Sequence, residues 1–545
     1  MGTTRPVRGH ALGRAFGIWY TTRRALMRAA RSRVAPCAVV LAACSGGGDS
    51  PSGPPGPGGA TNPTERPSLP PTYRATGRAA AGDVFVQLFS WYWTDVGAEC
   101  GRALGPAGYR AALVSPPQEH NIADGRPWFE VYGPVSYSID RGRFGTRAEF
   151  VDMVQRCRES GVDIYVDAVI NHMAPGSGVG SSGTTFTRYN YQPLYGPSDF
   201  HPACTLNNYQ SAANVQDCEL LGLPDLNTGS ASVRQKIADY LIELTRLGVA
   251  GFRIDAAKHI QPVELDSIVR LVNLAATAEG RTPPYVFLEV IDPGTEAVKA
   301  VDYFGLGYAS GGAADITEFN FRTVGERFRA GSGKRAGELS SFSARTWGLM
   351  AGDKAVVFLQ NHDTQRFDGV DYRDGTAYRL ANVWMLGQGY GYPVVMSGYA
   401  FDKATQAGRD AGPPTREASL RCAERMELAV RGEWACEHRD PWIVAMLAFR
   451  RAVAGTDAAR LWDNGADAVA FSRGASGFVA LNAGAVGVTA SIPTALAPGA
   501  YCDLLTGGRG AAGCIGRTVT VDADQTIFIT INATSAVALL SGVRP

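Results

Sequence analysis

The feature of this sequence that most constrains its fold is a series of short apolar segments with helical stretches between them. Alternation of this kind indicates βα units around a parallel sheet and argues against a sandwich. Eight such segments predict an α/β fold with a (β/α)8 TIM barrel. The predicted strands are Val84 to Phe89, Ala111 to Ser115, Ile164 to Val169, Gly251 to Asp255, Tyr285 to Glu289, Ile316 to Phe319, Val356 to Leu359 and Tyr392 to Met396.

Helix signals lie between these strands. One predicted helix starts at Thr146, has Glu149 three residues later as a capping box, and stops at Gly161. Its apolar residues share one face, as expected for a helix that packs on a parallel sheet: Phe150, Met153, Val154 and Cys157.

Two segments interrupt or follow the barrel. Residues 172–228, after the third strand, are rich in Gly, Ser, Asn and Tyr and show no convincing helix, so we predict an inserted lobe. Residues 454–545 carry short alternating strands broken by Gly-rich turns, which predicts a C-terminal antiparallel β-sandwich domain. The barrel is then assigned to residues 76–171 and 229–453.

Residues 1–44 are predicted to be a signal peptide. Arginines precede an apolar run, Val34 to Ala43, that is too short to span a bilayer. The run ends in Leu41-Ala-Ala-Cys44, which resembles a lipobox whose cysteine is acylated; plain secretion is the alternative. Residues 45–75 are predicted to be a flexible linker rich in Gly and Pro. We therefore expect a secreted or cell-surface lipoprotein of a bacterium.

The charge balance restricts the partners. Lys plus Arg number 52 and Asp plus Glu number 51, so no overall field attracts nucleic acid or an acidic membrane. The one membrane contact we predict is a lipid on Cys44, and we expect an uncharged substrate. Aromatic residues make up 10% of the chain, which suits stacking on sugar rings and equally suits an ordinary core.

The cysteines predict disulfides. Cys37 and Cys44 fall in the signal, and the other eight form an even number in an oxidising compartment. Their order suggests local pairs, although spacing leaves other connectivities open: Cys100 with Cys157, Cys204 with Cys218, Cys422 with Cys436, and Cys502 with Cys514. No Cys or His spacing typical of a zinc site is present.

Polar side chains follow several predicted strands, at the end where a (β/α)8 barrel builds its active site. The third strand leads into Asp167, the fourth ends at Asp255, the fifth ends at Glu289 and the seventh leads to Asp363. One such acid alone is more often a salt-bridged or helix-capping residue. Acids that converge from several strands predict carboxylates for acid and base chemistry.

These segments resemble the sequence regions that define the α-amylase family, glycoside hydrolase family thirteen. Other motifs are similar to its animal-type subgroup, which some bacteria also carry: Leu88-Phe-Ser-Trp-Tyr-Trp93, Arg126-Pro-Trp-Phe-Glu-Val-Tyr132 and Cys436-Glu-His-Arg439. The four cysteine pairs fit the disulfide pattern of that subgroup. The resemblance implies that Asp255 is the nucleophile, Glu289 the acid/base and Asp363 the acid that stabilises the transition state. Arg253, two residues before Asp255, would hold the nucleophile ionised.

The resemblance also implies contacts with sugar. Two histidines would hydrogen-bond the sugar at the cleavage point, and three aromatic rings would stack on glucose faces. Structural histidines and buried core rings are the alternatives. The predicted substrate-binding residues are His172, Arg253, Lys258, His259, His362, Trp128, Phe129 and Tyr132.

Two ions are considered. Asn171 and Asp225 match side-chain ligands of a structural calcium, with backbone oxygens at Gln216 and His259; both side chains could instead form turns. A chloride would contact Arg253 and Asn361.

Val394 stands where related chloride sites have a second arginine, so we do not predict a chloride requirement.

Three functions are weighed. The first is endo-hydrolysis of internal α-1,4 bonds in starch, glycogen or maltooligosaccharides by a monomer, with retention of configuration. The second is another specificity on the same barrel, such as an α-glucosidase or glucanotransferase. The third is a surface glucan-binding protein, against which the intact acids argue.

Overall fold

The computed structural model describes residues 74–545 except 368 and 417–419. The predicted signal peptide, Cys44 and residues 45–73 of the predicted linker lie outside the described residues. Within the described part of the chain, no helix is long and apolar enough to cross a membrane.

Eight parallel strands close into a barrel in which each strand neighbours the next in sequence. The first strand, β1, pairs with both β2 and β8 and so closes the ring. The predicted (β/α)8 barrel is confirmed, with strand ends no more than two residues from those expected. The strands are β1 Phe85–Leu88, β2 Ala111–Val114, β3 Asp163–Ala168, β4 Gly251–Ile254, β5 Tyr285–Leu288, β6 Ala314–Thr317, β7 Ala355–Val357 and β8 Tyr392–Ser397.

The largest shift is in β6, which begins at Ala314 and not at Ile316. It therefore contains Asp315, whose carboxylate accepts hydrogen bonds from Tyr285 Oη and Thr76 Oγ1, each at 2.8 Å. An acid satisfied in this way can lie inside a buried strand, which the apolar pattern alone does not reveal.

Helices connect or follow the strands: α1 Trp93–Glu99, α2 Arg147–Glu159, α3 Ala212–Asp217, α4 Ala231–Arg246, α5 Pro262–Ala278, α6 Thr376–Gly387, α7 Gln406–Asp410 and α8 Pro441–Ala452. The capping box predicted for α2 is present, since Glu149 N donates to Thr146 Oγ1 at 3.4 Å and Glu149 Oε2 accepts from Thr146 N at 2.8 Å. The predicted face of α2 is buried.

Aromatic rings fill the end of the barrel at which the strands begin. The rings in mutual contact there are Phe85, Tyr165, Tyr285, Phe287 and Tyr392. The Arg78 guanidinium stacks on Tyr285, 5.5 Å from the ring centroid. Because this end is filled by packed rings, the polar residues at the other end are the ones that can meet a substrate.

Residues 172–228, the predicted lobe after β3, contain a short hairpin, Ser177–Val179 with Thr185–Thr187, and the six-residue helix α3. The expectation of no helix there is wrong. Ser211 caps α3 by accepting a hydrogen bond from Asn214 N at 3.3 Å, and Val215 is its buried apolar residue. One buried residue in six gives no readable helical periodicity.

The C-terminal strands form antiparallel sheets: β9 Ala458–Asp463, β10 Ala468–Arg473, β11 Gly477–Asn482, β12 Val488–Pro493, β13 Gly499–Cys502, β14 Thr518–Val521, β15 Thr526–Ile531 and β16 Ser535–Leu540. A four-stranded sheet has the order β9-β10-β11-β16, while β12 pairs with β15 and β13 with β14. Apolar residues from all three units share one buried cluster that includes Phe478, Ile527 and Val519. The predicted C-terminal antiparallel domain is confirmed.

Four disulfides join the pairs that local order suggested: Cys100–Cys157, Cys204–Cys218, Cys422–Cys436 and Cys502–Cys514. The first links the end of α1 to α2, and the second closes a loop around α3. These two disulfides therefore restrain a helix that packs on the barrel and a segment near the carboxyl ends of its strands.

Candidate active site

A cleft lies over the carboxyl ends of the barrel strands. It brings together most of the predicted site residues: Trp128, Phe129, Tyr132, His172, Asp255, Lys258, His259, Glu289, His362 and Asp363. Residues that the sequence did not single out also line it: Tyr209, Leu220, Leu221, Leu223, Ala256, Ile291, Phe319, Thr364 and Phe367. Arg253 lies beneath this lining, and Asn171, Gln216 and Asp225 do not reach the cleft surface.

Arg253 is the cation around which the acids gather. Its side chain is 4% exposed, and it lies in β4, two residues before Asp255. Its Nη1 donates to Asp255 Oδ1 at 2.9 Å, and its Nη2 lies 2.6 Å from Glu289 Oε1. The third partner, Asp167, comes from β3. One guanidinium therefore ties together acids from three adjacent strands.

Burial dominates the electrostatics of this cluster. Burial raises the pKa of Asp255 well above its usual range, and the charges of Glu289 and Asp167 raise it further, while Arg253 lowers it. Burial and the Glu289 charge raise the pKa of Asp363 to about 7. Arg253 acts in the expected direction, but the expectation that it would hold Asp255 ionised is corrected, because burial outweighs its effect on the pKa of Asp255. Burial and the neighbouring acids thus favour the protonated forms of Asp167, Asp255 and Asp363, while Arg253 opposes that shift.

Ala256, directly after Asp255, has a left-handed backbone with φ of 51°. A non-glycine residue in this region costs about 1 kcal/mol. The turn aims the Ala256 N–H at Glu289 Oε2, 3.0 Å away. With Oε1 beside Arg253, both oxygens of Glu289 are held in place by groups from β4 and the turn after it.

His362 lies in a stack of three rings. The Phe89 ring is 4.8 Å away on one side and the Tyr132 ring 5.3 Å away on the other, with interplanar angles of 15° and 9°. Trp128 meets His362 edge-on at 5.6 Å. Burial, together with the charges of Arg253 and Arg366, lowers the pKa of His362 well below its usual value, so the ring is neutral.

The other two histidines of the cleft are also neutral, because burial lowers the pKa of His172 and of His259 to about 4. His172 Nε2 lies 3.0 Å from the Tyr132 carbonyl oxygen, and His259 Nδ1 lies 2.8 Å from that of Val215. Each ring thus has one nitrogen committed to the backbone.

Lys258 connects the cleft wall to a neighbouring loop. Its Nζ donates to the Ile291 carbonyl at 2.7 Å and pairs with the buried Glu296 carboxylate. It also stands 5.1 Å from the centroid of the Tyr209 ring. Glu296 and Tyr209 were missed, because their segments carry no motif and meet Lys258 only in the folded chain.

Asp225 anchors the predicted calcium set. Burial raises its pKa to about 7, and its oxygens accept from Asn171 Nδ2 at 3.2 Å and face His201 Nδ1 at 2.7 Å. Within the described part of the chain, the carbonyl oxygens of Gln216 and His259 accept no hydrogen bond. Among those residues no group of three or more His, Cys, Asp or Glu side chains could hold a metal. The predicted set uses amide and backbone oxygens instead, and such donors suit calcium.

The predicted chloride residues, Arg253 and Asn361, already have protein partners in the structure. Asn361 Oδ1 accepts the N–H groups of Asp363 at 3.1 Å and Thr364 at 2.9 Å, so this amide shapes the turn after β7. Val394 packs in an apolar cluster with Phe358 and Tyr392. Arg253 already contacts three carboxylates.

A (β/α)8 barrel whose strand ends gather carboxylates under an aromatic cleft is a glycoside hydrolase architecture, and the chain is a glycoside hydrolase. Residues 132–269 match the alpha-amylase catalytic domain, and residues 462–542 match the alpha-amylase C-terminal all-beta domain. The chain belongs to the alpha-amylase family, whose standard activity is the endo-hydrolysis of starch.

Whole-chain relatives agree. The chain is 40% identical to an alpha-amylase of Tenebrio molitor over 456 residues, which cover 81% of this chain and 93% of that protein. It is 41% identical to one of Streptomyces violaceus over 458 residues, 83% of this chain and 74% of that protein. A crystal structure of a mutant of alpha-amylase I from Eisenia fetida in complex with maltohexaose superposes with a TM-score of 0.76 at 34% identity, covering 84% of this chain and 97% of that one.

These relatives correct the predicted location. Insect and earthworm proteins stand among them beside bacterial ones, so similarity to this group does not make the chain a bacterial lipoprotein. The prediction of a secreted or cell-surface lipoprotein of a bacterium is therefore wrong as drawn.

Proposed function

We propose that the chain cleaves internal α-1,4 bonds of starch, glycogen and maltooligosaccharides with retention, using Asp255, Glu289 and Asp363. The observation that carries this assignment is the shared guanidinium: Arg253 touches both Asp255 and Glu289, at the ends of adjacent strands. The two acids are thereby fixed in one cleft with Asp363 and the aromatic wall.

Retaining hydrolysis proceeds in two displacements. Asp255 attacks the anomeric carbon, while Glu289 gives its proton to the glycosidic oxygen, which leaves with the bonding electron pair. Water then attacks the same carbon, Glu289 takes a proton from it, and the bond to Asp255 breaks. This sequence requires Glu289 to carry a proton and Asp255 to be ionised at its start.

Asp363 and His362 would bind the sugar ring and would take no direct part in breaking the glycosidic bond. Asp363 stands at the start of the turn after β7 and lines the cleft beside Glu289. A carboxylate there would accept hydrogen bonds from sugar hydroxyls and favour the positive charge of the oxocarbenium-like state. The neutral His362 would donate from Nε2, which lies 3.5 Å from Asp363 Oδ2.

Other predicted substrate-binding residues line the wall of the cleft. Trp128, Phe129 and Tyr132 would stack on glucose units, and His172, Lys258 and His259 would contact the glucan elsewhere along the cleft. The active unit in this proposal is a monomer.

Calcium would be held by Asn171, Asp225 and the carbonyls of Gln216 and His259. When bound, the ion would supply structural cross-linking between the segment after β3 and the turn after β4, with no part in the proton transfers. Chloride is not required in this proposal, because Val394 offers no positive charge.

The test is a kinetic comparison on soluble starch. Asp255→Asn and Glu289→Gln should each lower kcat by roughly 10⁴-fold or more, with the melting temperature near that of the native protein. The matched control is Glu437→Gln: Glu437 is buried outside the cleft, and burial raises its pKa to about 8, so it is neutral at pH 7 and the change preserves charge.

Viscosity and product analysis decide the specificity. An endo enzyme lowers viscosity long before reducing ends accumulate and releases maltooligosaccharides. Near-normal starch hydrolysis by either acid variant, or glucose as the first product, would overturn the proposal.

A further inference from the structure

Arg366 is a buried cation behind the cleft wall. It ends the short turn Thr364–Arg366 that follows Asp363, and it is 1% exposed. Its guanidinium is surrounded by four aromatic rings, with distances to their centroids of 4.3 Å for Phe401, 4.6 Å for Trp128, 5.6 Å for Tyr399 and 5.7 Å for Phe89. Such an arrangement stabilises the rings and the cation together.

Only neutral oxygens bond this guanidinium in the described part of the chain. Its Nη1 donates to the Arg409 carbonyl at 3.0 Å and its Nη2 to Tyr399 Oη at 3.0 Å. No ion pair with a carboxylate is formed within residues 74–545 as described. A buried charge without a counter-ion is costly, which points to a role beyond packing.

Two of the four rings connect Arg366 to the cleft wall, one directly and one through His362. Trp128 lines the cleft, and Phe89 is the ring on which His362 stacks at 4.8 Å. Trp128 further meets Phe89 edge-on at 5.9 Å. A guanidinium in contact with both rings thus supports the cleft wall and the histidine from behind.

We propose that Arg366 is a positioning residue for glucan hydrolysis: it holds Trp128 and the His362 ring stack in place and supplies a positive charge beside Asp363. This inference rests on the proposed function, because it assigns Asp363, His362 and Trp128 to the sugar. Arg366 itself does not line the cleft and touches no substrate.

The positive charge of Arg366 changes the pKa of Asp363 in one direction. It lowers the pKa of Asp363 and so favours the ionised form that would face the sugar. Its removal should therefore move the acidic limb of the pH profile upward. The other titratable and charged groups that face Asp363 are Glu289, Asp167, Arg253, His362 and Tyr132.

Two substitutions separate the charge from the packing. Arg366→Gln keeps hydrogen-bond donors but loses the charge, whereas Arg366→Lys keeps the charge but loses the planar contact with the rings. The matched control is Arg450→Gln, since Arg450 in α8 is also 1% exposed and donates to backbone carbonyls, such as that of Gly391 at 2.6 Å, away from the cleft.

The experiment measures kcat and KM on maltoheptaose between pH 4.5 and 9, and the melting temperature, for the full chain with calcium present. Arg366→Gln should raise KM roughly threefold to thirtyfold and shift the acidic limb of kcat/KM upward by about half a pH unit or more. Arg366→Lys should raise KM and leave the acidic limb in place. Arg450→Gln should lower the melting temperature alone.

A profile and KM for Arg366→Gln that match those of Arg450→Gln would overturn the inference. If Arg366→Gln does not fold, Arg366→Lys decides: an unchanged KM overturns the inference, and a raised KM with the native acidic limb supports it. Asp255→Asn separates the two proposals. Activity in Asp255→Asn would defeat the proposed function, whereas an inactive Asp255→Asn with a native-like Arg366→Gln defeats only the role of Arg366.

Discussion

Gln87 Nε2 lies 3.0 Å from His362 Nδ1, although the two residues are 275 positions apart in the chain. An amide nitrogen can only donate, so Nδ1 of the neutral ring accepts and its proton is on Nε2. Nε2 is the atom that lies 3.5 Å from Asp363 Oδ2. Gln87, in β1, therefore sets which nitrogen of His362 can donate in the cleft.

Replacing Gln87 by Leu should lower kcat/KM roughly tenfold to a hundredfold, because a buried acceptor loses its partner and the imidazole can adopt the other tautomer. Steady-state kinetics on maltoheptaose would measure the loss, and nitrogen NMR of the imidazole would report the tautomer. Asn273→Leu is the control, since Asn273 is a buried amide in α5 outside the cleft. Equal kcat/KM in the two variants would contradict the role of Gln87.

The buried Asp363 predicts a pH-dependent stability. Its pKa is about 7 in the folded chain against an ordinary value of 3.8, so the folded state binds a proton that the unfolded state releases between these values. The contribution of Asp363 to the free energy of unfolding is thus present below about pH 4 and is lost as the pH rises towards 7. Asp363→Asn removes the cost of the buried charge.

At pH 8, Asp363→Asn should therefore have a higher melting temperature than the native protein, and its free energy of unfolding should be higher by about 2 to 4 kcal/mol. Both differences should vanish near pH 4. Calorimetry from pH 4 to 8 measures it. Asp152→Asn, an acid on α2 whose side chain is 59% exposed, should change stability by less than about 0.5 kcal/mol at each pH. A pH-independent difference for Asp363→Asn would rule out this account.

Local patterns predicted the parts of the fold that local physics decides. The barrel strands are buried apolar runs, and the capping box of α2 lies within four consecutive residues, Thr146 to Glu149. Both are readable because each signal is contained in one segment. The helix α3 was missed for the converse reason, since its one buried residue, Val215, is explained only by what packs on it.

The site shows the same division. Asp255 and Glu289 directly follow strands, Asp363 lies in the segment after β7, and Arg253 lies two residues before Asp255, so the sequence pattern predicts all four. Gln87, Glu296 and Arg366 carry no motif, because what makes each of them notable is a partner far away in sequence. Burial was also hidden, and it outweighs the effect of Arg253 on the pKa of Asp255.

Activity should not depend on chloride. The position of a second arginine is taken by Val394, which is 8% exposed among apolar residues, and Arg253 is neutralised by carboxylates directly. Titration with sodium chloride in an acetate buffer at constant ionic strength should leave kcat unchanged, with sodium nitrate as the matched salt. A clear activation that saturates with chloride and not with nitrate would disprove this.

Calcium removal should destabilise the chain. An ion bound only by the folded state raises the free energy of unfolding by about 4 kcal/mol at a thousand times its Kd. An excess of chelator should therefore lower the melting temperature by roughly 5 °C or more and reduce activity in parallel, and calcium should restore both. Magnesium should not restore the melting temperature or the activity, because the amide and carbonyl oxygens suit the larger calcium ion.

Asp225→Asn tests whether this response belongs to the predicted set. Asp225 is the one carboxylate among the four proposed ligands, so its loss removes the anionic donor while its hydrogen bond with Asn171 can persist. The variant should melt at the temperature of the chelated native protein and show no further change with chelator. Asp152→Asn should keep the full calcium response. A native melting curve that is unchanged in excess chelator would defeat the calcium proposal, and a chelator-sensitive Asp225→Asn would place the ion elsewhere.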